Sequence, residues 1–184
     1  MKNILSLLEL NPVIAAVRSD NFFAAMQSPC DVVFCLGESI MTVEKNIKYA
    51  HSKGKKVLVH IDLAEGIGKD SAGVRYLSEI GCDGIISTKP QIIKCAKKEG
   101  LFTVQRFFTL DTQGLESIDE ILCQSKPSMI EIMPGVISKT ISKFANGSVP
   151  VIAGGLIESK EEITAALRSG AVAVSTGKEP LWYI

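Results

Sequence analysis

The chain is punctuated by short apolar runs rich in β-branched side chains, each ending in polar residues or glycine. They begin near residues 13, 32, 56, 84, 101, 129, 149 and 171, at intervals of 19, 24, 28, 17, 28, 20 and 22 residues. Short runs without polar alternation read as strands covered on both faces. The spans between them carry apolar residues at helical spacing. Ile40, Val43, Ile47 and Ala50 form one such stripe, predicting a helix over 39–53 that Gly54 stops. A helix over 21–28 is expected with Asp20 as its N-cap and Pro29 as its stop. Further helices are expected over 72–80, 90–99, 111–124, 136–145 and 159–168. Strand and helix therefore alternate along the chain, which demands a parallel sheet.

Eight repeats favour closure into a compact (β/α)8 barrel of the TIM type, a single domain over residues 1–184. The helices must be short, because such barrels usually take about 250 residues. A doubly wound parallel sheet is the alternative, weakened by the lack of a GxGxxG after the first strand. Almost no helix is expected after Thr176, so a partner subunit covering the barrel bottom or side, in a homo-oligomer, is an expectation. Residues 1–12 read as one or two amphipathic turns, too short and, with Glu9, too acidic for a secretory signal.

Composition narrows the function classes. Twenty basic residues balance twenty acidic ones, which argues against a protein that coats nucleic acid or an anionic membrane by bulk charge. No apolar stretch approaches the roughly 20 residues of a membrane span. Five cysteines without a CxxC pattern read as reduced thiols of a cytoplasmic protein, and no metal site is expected from them. Two lysine clusters, at 53–56 and 94–98, lie near helix C-termini and read as solvated faces.

In a barrel of this kind, chemistry sits at the C-terminal ends of the strands. Polar residues appear at nearly all of those positions. His60 and Asp62, two apart on a strand, are expected on one face, where they suit a metal, acid/base work or a polyol. Glu65 lies close by. Lys89 suits a Schiff base or a phosphate contact, or simply opens a solvated helix ahead of Pro90. Arg18 and Arg106, read as directly following buried strands, call for a carboxylate or an anionic ligand. Glu131 alternates with Ile130 and Ile132, so it faces the barrel interior and needs a partner, for which Arg106 is the candidate. Gly154 and Gly155 end the seventh strand and Ser175 and Thr176 the eighth, where backbone N–H groups can hold a phosphate.

Several strings occur together in order: VHIDLAEG at 59–66, DGIISTK at 83–89, VQRFFTLD at 104–111, IEIMPG at 130–135, IAGGLI at 152–157, and VST at 174–176 with Leu181 and Trp182 beyond. In these the sequence resembles the glycerol uptake operon antiterminators, the glycerol-3-phosphate-responsive regulators of bacteria, from about residue 13 to 182. The resemblance implies a cytoplasmic regulator rather than an enzyme, without a cofactor, whose effector is glycerol 3-phosphate. It further implies action on leader mRNA, preventing premature termination ahead of glycerol uptake and catabolism genes. Strand-end position and the matching strings together assign Arg18, His60, Asp62, Glu65, Lys89, Arg106 and Glu131 to the ligand, and Gly154, Gly155, Ser175 and Thr176 to its phosphate. The alternative is a phosphosugar-binding barrel enzyme, isomerase- or lyase-like, with Lys89 or the His60/Asp62 pair moving protons.

Overall fold

A computed structural model describes residues 3–109 and 112–184, apart from the side chains of residues 112–117. Eight parallel strands bond to one another in chain order: β1 (Val13–Val17), β2 (Val32–Cys35), β3 (Lys56–His60), β4 (Gly84–Ser87), β5 (Phe102–Phe108), β6 (Met129–Met133), β7 (Val151–Gly154) and β8 (Ala173–Thr176). β8 pairs back onto β1, so the sheet closes into a barrel and the doubly wound alternative falls. The helices are α1 (Ile4–Leu10), α2 (Phe22–Gln27), α3 (Val43–Ser52), α4 (Ser71–Glu79), α5 (Pro90–Lys98), α6 (Thr112–Ser125), α7 (Ser138–Ala145) and α8 (Lys160–Arg168).

Alternation along each strand builds two cores. Outward residues such as Val33, Val57, Ile85, Ile130 and Val174 meet Ile47, Leu77, Ile92, Ile141 and Ile163 of the surrounding helices. Inward residues, among them Ile14, Phe34, Leu58, Ile86, Val104, Met129 and Ile152, fill the lower barrel. Ile4 and Leu8 of α1 join this inner core, so the first amphipathic turns become a plug at the N-terminal end. Burying a side chain such as Leu8 contributes about 1.5–3 kcal/mol.

After β8 a 3-10 turn, Glu179–Tyr183, stands where an eighth outer helix would be. It buries Leu181 and Trp182. The indole Nε1 of Trp182 donates to the Thr176 carbonyl at 2.8 Å, and the Cys30 thiol donates to the Trp182 carbonyl at 3.6 Å. The chain thus covers its own barrel bottom and side, and the partner subunit expected there is not needed for that purpose.

Some boundaries differ from the sequence reading. α3 starts at Val43 because Ser39 instead forms a parallel bridge with Glu65, reinforced by Ile40 N–H to the Glu65 carbonyl at 2.9 Å. α7 starts at Ser138, leaving Val136 and Ile137 exposed in the preceding loop. Asn21, not Asp20, occupies the N-cap of α2, and its side-chain oxygen accepts from Arg18 N–H at 2.9 Å. The helix start read at Asp111 lies outside the described residues. The 53–56 lysine cluster is only in part a solvated face. Lys55 is buried and donates to the carbonyls of Ser28 and Cys30, while Lys56 pairs with Asp83 at 2.6 Å.

Candidate functional site

Toward the C-terminal end the barrel interior turns polar. Arg106 of β5 and Glu131 of β6 are register partners, both buried and pointing inward. Arg106 is not beyond its strand, as the sequence suggested, because β5 continues to Phe108. The expected pairing is present: Arg106 Nε donates to Glu131 Oε2 at 2.6 Å. Ser175 Oγ donates to the other carboxylate oxygen, also at 2.6 Å. That bond runs from β8 to β6 across β7. It is possible because β7 ends there in Gly154, where a Cβ would collide with both Glu131 Oε1 and Ser175 Oγ. The glycine is therefore needed to let two side chains meet over the strand between them.

His60 closes β3 in the same layer. Burial, and then the positive charge of Arg106, lower its pKa to about 4, against weaker opposite effects of Asp62 and Glu131. The ring is neutral near pH 7, and its Nδ1 has no partner among the described residues.

Above this layer lies a cavity of about 310 Å³ open at the C-terminal end. Arg18, Asp20, Arg106, Glu131, Gly155, Leu156, Ser175, Thr176 and Gly177 are among its walls. Gly155 has φ +76°, a left-handed conformation that glycine adopts without strain, and Leu156 follows it at φ +60°. The N–H groups of Leu156 and Gly177, beyond the last rungs of their strands, take no acceptor among the described residues. Both hydroxyls predicted for a phosphate are already committed. Ser175 serves Glu131, and Thr176 Oγ1 donates to the Ile157 carbonyl at 2.9 Å while accepting from Lys178 N–H at 3.1 Å. Thr176 thereby ties the loop after β8 to the loop after β7. What remains open to an anion is backbone N–H, the exposed Arg18 guanidinium and the guanidinium nitrogens of Arg106 beyond Nε.

Six of the eleven predicted residues line this cavity: Arg18, Arg106, Glu131, Gly155, Ser175 and Thr176. Gly154 and His60 lie beneath it. Asp62, Glu65 and Lys89 are not brought to it. β3 stops at His60, and Ile61–Leu63 form a 3-10 turn, so His60 and Asp62 do not share a strand face. Asp62 accepts from Ser87 Oγ at 2.8 Å, Thr88 N–H at 2.7 Å and Thr88 Oγ1 at 3.0 Å. Burial alone would raise its pKa, but these hydrogen bonds outweigh it and hold the carboxyl below its ordinary value. Glu65 is exposed, and its backbone pairs with the loop after β2. Lys89 is exposed ahead of Pro90 at the start of α5, the solvated-helix reading. Sequence reasoning missed Asp20, Leu156 and Gly177. Each neighbours a predicted residue in its own loop, so loop membership was the available signal.

A family model described as glycerol-3-phosphate responsive antiterminator matches residues 13–182. The chain belongs to this family. Among solved structures, the glycerol uptake operon antiterminator regulatory protein of Listeria monocytogenes str. 4b F2365 is 32% identical, with 94% of this chain and 95% of that one covered and a TM-score of 0.89. A glycerol uptake operon antiterminator-related protein of Thermotoga maritima MSB8 is also 32% identical, over 92% and 96% of the two chains, with a TM-score of 0.83. A sequence relative from Escherichia coli (strain K12), Uncharacterized protein YgcP, is 36% identical over 97% of this chain and 95% of its own length. An antiterminator of this family needs a place for its effector. Among the described residues, no group of three or more His, Cys, Asp or Glu is placed to hold a metal, and no helix is long and apolar enough to cross a membrane.

Proposed function

We propose that the chain is a cytoplasmic, glycerol-3-phosphate-responsive antiterminator, and that the cavity above Arg106 and Glu131 is its effector site. The phosphate lies between the loops after β7 and β8, against the N–H groups of Leu156 and Gly177, with Arg18 and Arg106 as counter-charges. This is where phosphate commonly sits in barrels of this fold. The observation that carries the reading is the pairing of unspent backbone donors with two arginines in one small cavity. Its size stands at the low end of the roughly 300–1,000 Å³ of small-molecule sites, which suits a three-carbon phosphate. The effector then favours a state that binds leader mRNA and lets transcription pass the terminator; an effector acts only through its differential affinity for two states.

The enzyme alternative draws less support. Proton transfer needs a titratable group within hydrogen-bond reach of the substrate. Lys89 and Asp62 lie away from the cavity, both oxygens of Glu131 are engaged, and Asp20, the other carboxylate on its wall, is exposed to solvent.

Isothermal calorimetry with glycerol 3-phosphate, glycerol and inorganic phosphate tests the site. Glycerol 3-phosphate should bind far more tightly than the other two, and no heat at millimolar ligand would remove the effector reading. Transcription in vitro through a leader terminator tests the regulatory half. Read-through should rise only with protein and glycerol 3-phosphate together, and unchanged read-through would refute it.

A further inference from the structure

The two ends of the barrel differ in their apolar exposure. The N-terminal end is plugged by α1, whereas, among the described residues, seven of the twelve exposed large apolar ones stand on the C-terminal rim. This asymmetry is where the sequence pattern and the structure part company, since Ile40, Val136 and Ile137 read as helix positions and are loop residues.

The seven fall into two arcs. Ile40, Met41 and Leu63 belong to the loops after β2 and β3, which the Ser39–Glu65 bridge joins. Phe108 ends β5, Val136, Ile137 and Leu156 follow β6 and β7, and the four are held together by Thr109 N–H to the Met133 carbonyl at 2.8 Å and Gly135 N–H to the Gly154 carbonyl at 2.6 Å. β4 separates the arcs on one side, and β8 with β1 on the other. Met41 is 86% exposed, Leu156 69% and Phe108 55%. Each arc by itself is within the few hundred Å² usual on a monomer, and only the two together approach the about 800 Å² per partner of a stable interface.

We infer that this rim is the face of a homodimer, related by a two-fold axis that lies in the rim plane, perpendicular to the barrel axis, and runs from the β4 side to the β8 side. Such an axis lays the β5–β7 arc of one protomer over the β2–β3 arc of its partner and repeats the contact in reverse, the self-complementary arrangement a two-fold requires. Charge favours a second copy over a polyanion. The rim mixes Arg18, Lys89 and Lys178 with Asp20, Glu65 and Glu158, and Lys178 already pairs with Glu158 at 3.0 Å. A surface of both signs can match itself and gains little from a run of phosphates. Leu156 is both a rim residue and a cavity wall, so the cavity opens into the interface.

Sedimentation velocity on the full chain, from micromolar to several hundred micromolar, should show a monomer–dimer equilibrium. Met41→Asp and Phe108→Asp, neither of them in the cavity, should each weaken the dimer by at least about tenfold. Thermal stability and calorimetric binding of glycerol 3-phosphate to the protomer should be retained. Val172→Asp, an exposed apolar residue before β8, serves as the control and should leave the dimer intact. A monomer at every concentration overturns the inference, as does a dimer that ignores both rim substitutions. Protection of Met41 and Phe108 by RNA on a monomeric protein would also overturn it, by making the rim an RNA face. A dimer that binds no glycerol 3-phosphate supports the rim assignment and counts only against the effector reading.

Discussion

Replacing Glu131 by Gln isolates the charge of the central network with almost no change of shape. The carboxylate is fully buried, with Arg106 Nε on one oxygen and Ser175 Oγ on the other, both at 2.6 Å. Breaking a buried ion pair from one side typically costs about 3–5 kcal/mol, because the remaining charge is left without compensation. A glutamine keeps one acceptor for Arg106, so the low end of that range, about 3 kcal/mol, is expected. In a chain of this size 1 kcal/mol moves Tm by about 2–4 °C, so the melting point should fall by roughly 6–12 °C. Urea unfolding monitored at the single tryptophan, Trp182, gives the free energy directly. The companion variant Arg106→Met and the double variant complete a cycle. Removing both charges should restore more than half of the loss caused by Glu131→Gln. A loss below about 1 kcal/mol for Glu131→Gln, or strict additivity in the cycle, would show that the pair is not the electrostatic centre argued here.

Three further outcomes follow from the same geometry. His60 has a folded pKa of about 4 against an ordinary 6.5, so the unfolded chain takes up a proton before the folded one does. Stability should therefore be intact above pH 6.5 and decline by up to about 3 kcal/mol as pH falls toward 4; this share of the loss should vanish in His60→Gln. Arg18→Met should weaken glycerol 3-phosphate binding about tenfold or more while changing stability by no more than about 0.5 kcal/mol, since the residue is exposed; calorimetry beside thermal melting separates the two. Leu8→Ala should cost about 2–5 kcal/mol, read by urea unfolding, because the plug seals the inner core; a smaller effect would mean that α1 is dispensable.

The barrel was legible because its strands are short apolar runs, and the starts read from the sequence fall within two residues of the observed ones. Glu131 between Ile130 and Ile132 was equally legible, since a carboxylate inside an apolar strand must find a partner. Asp62 was not. The period-two argument holds only while the strand lasts, and β3 ends two residues earlier, at His60. The hydroxyls of Ser175 and Thr176 show another limit. Residue type reveals a donor, while only the fold reveals that Glu131 and the Ile157 carbonyl already occupy it. Ile40 and Val136 mislead in the opposite direction, because an exposed apolar residue next to a helix extends the helical stripe without belonging to it.

Leu156 decides what an effector can do in this barrel. The strands form a closed ring around a packed interior, so a ligand in the cavity acts through the loops that wall it, and Leu156 carries that wall onto the rim. Coupling between two sites amounts typically to about 1–3 kcal/mol, or 5–150-fold in affinity, and it is reciprocal. Whatever factor glycerol 3-phosphate adds to the affinity of a macromolecule on the rim, that macromolecule must add to the affinity for glycerol 3-phosphate. For a second copy of this chain, the effector should bind the dimer more tightly than the protomer by the same factor, per effector bound, by which it tightens the dimer. Calorimetry of Met41→Asp, held as a monomer, against the dimeric chain gives one measurement. Sedimentation with and without effector gives the other. Equal factors above one would place Leu156 on a shared two-state element, whereas factors of one in both would make the cavity and the rim independent surfaces.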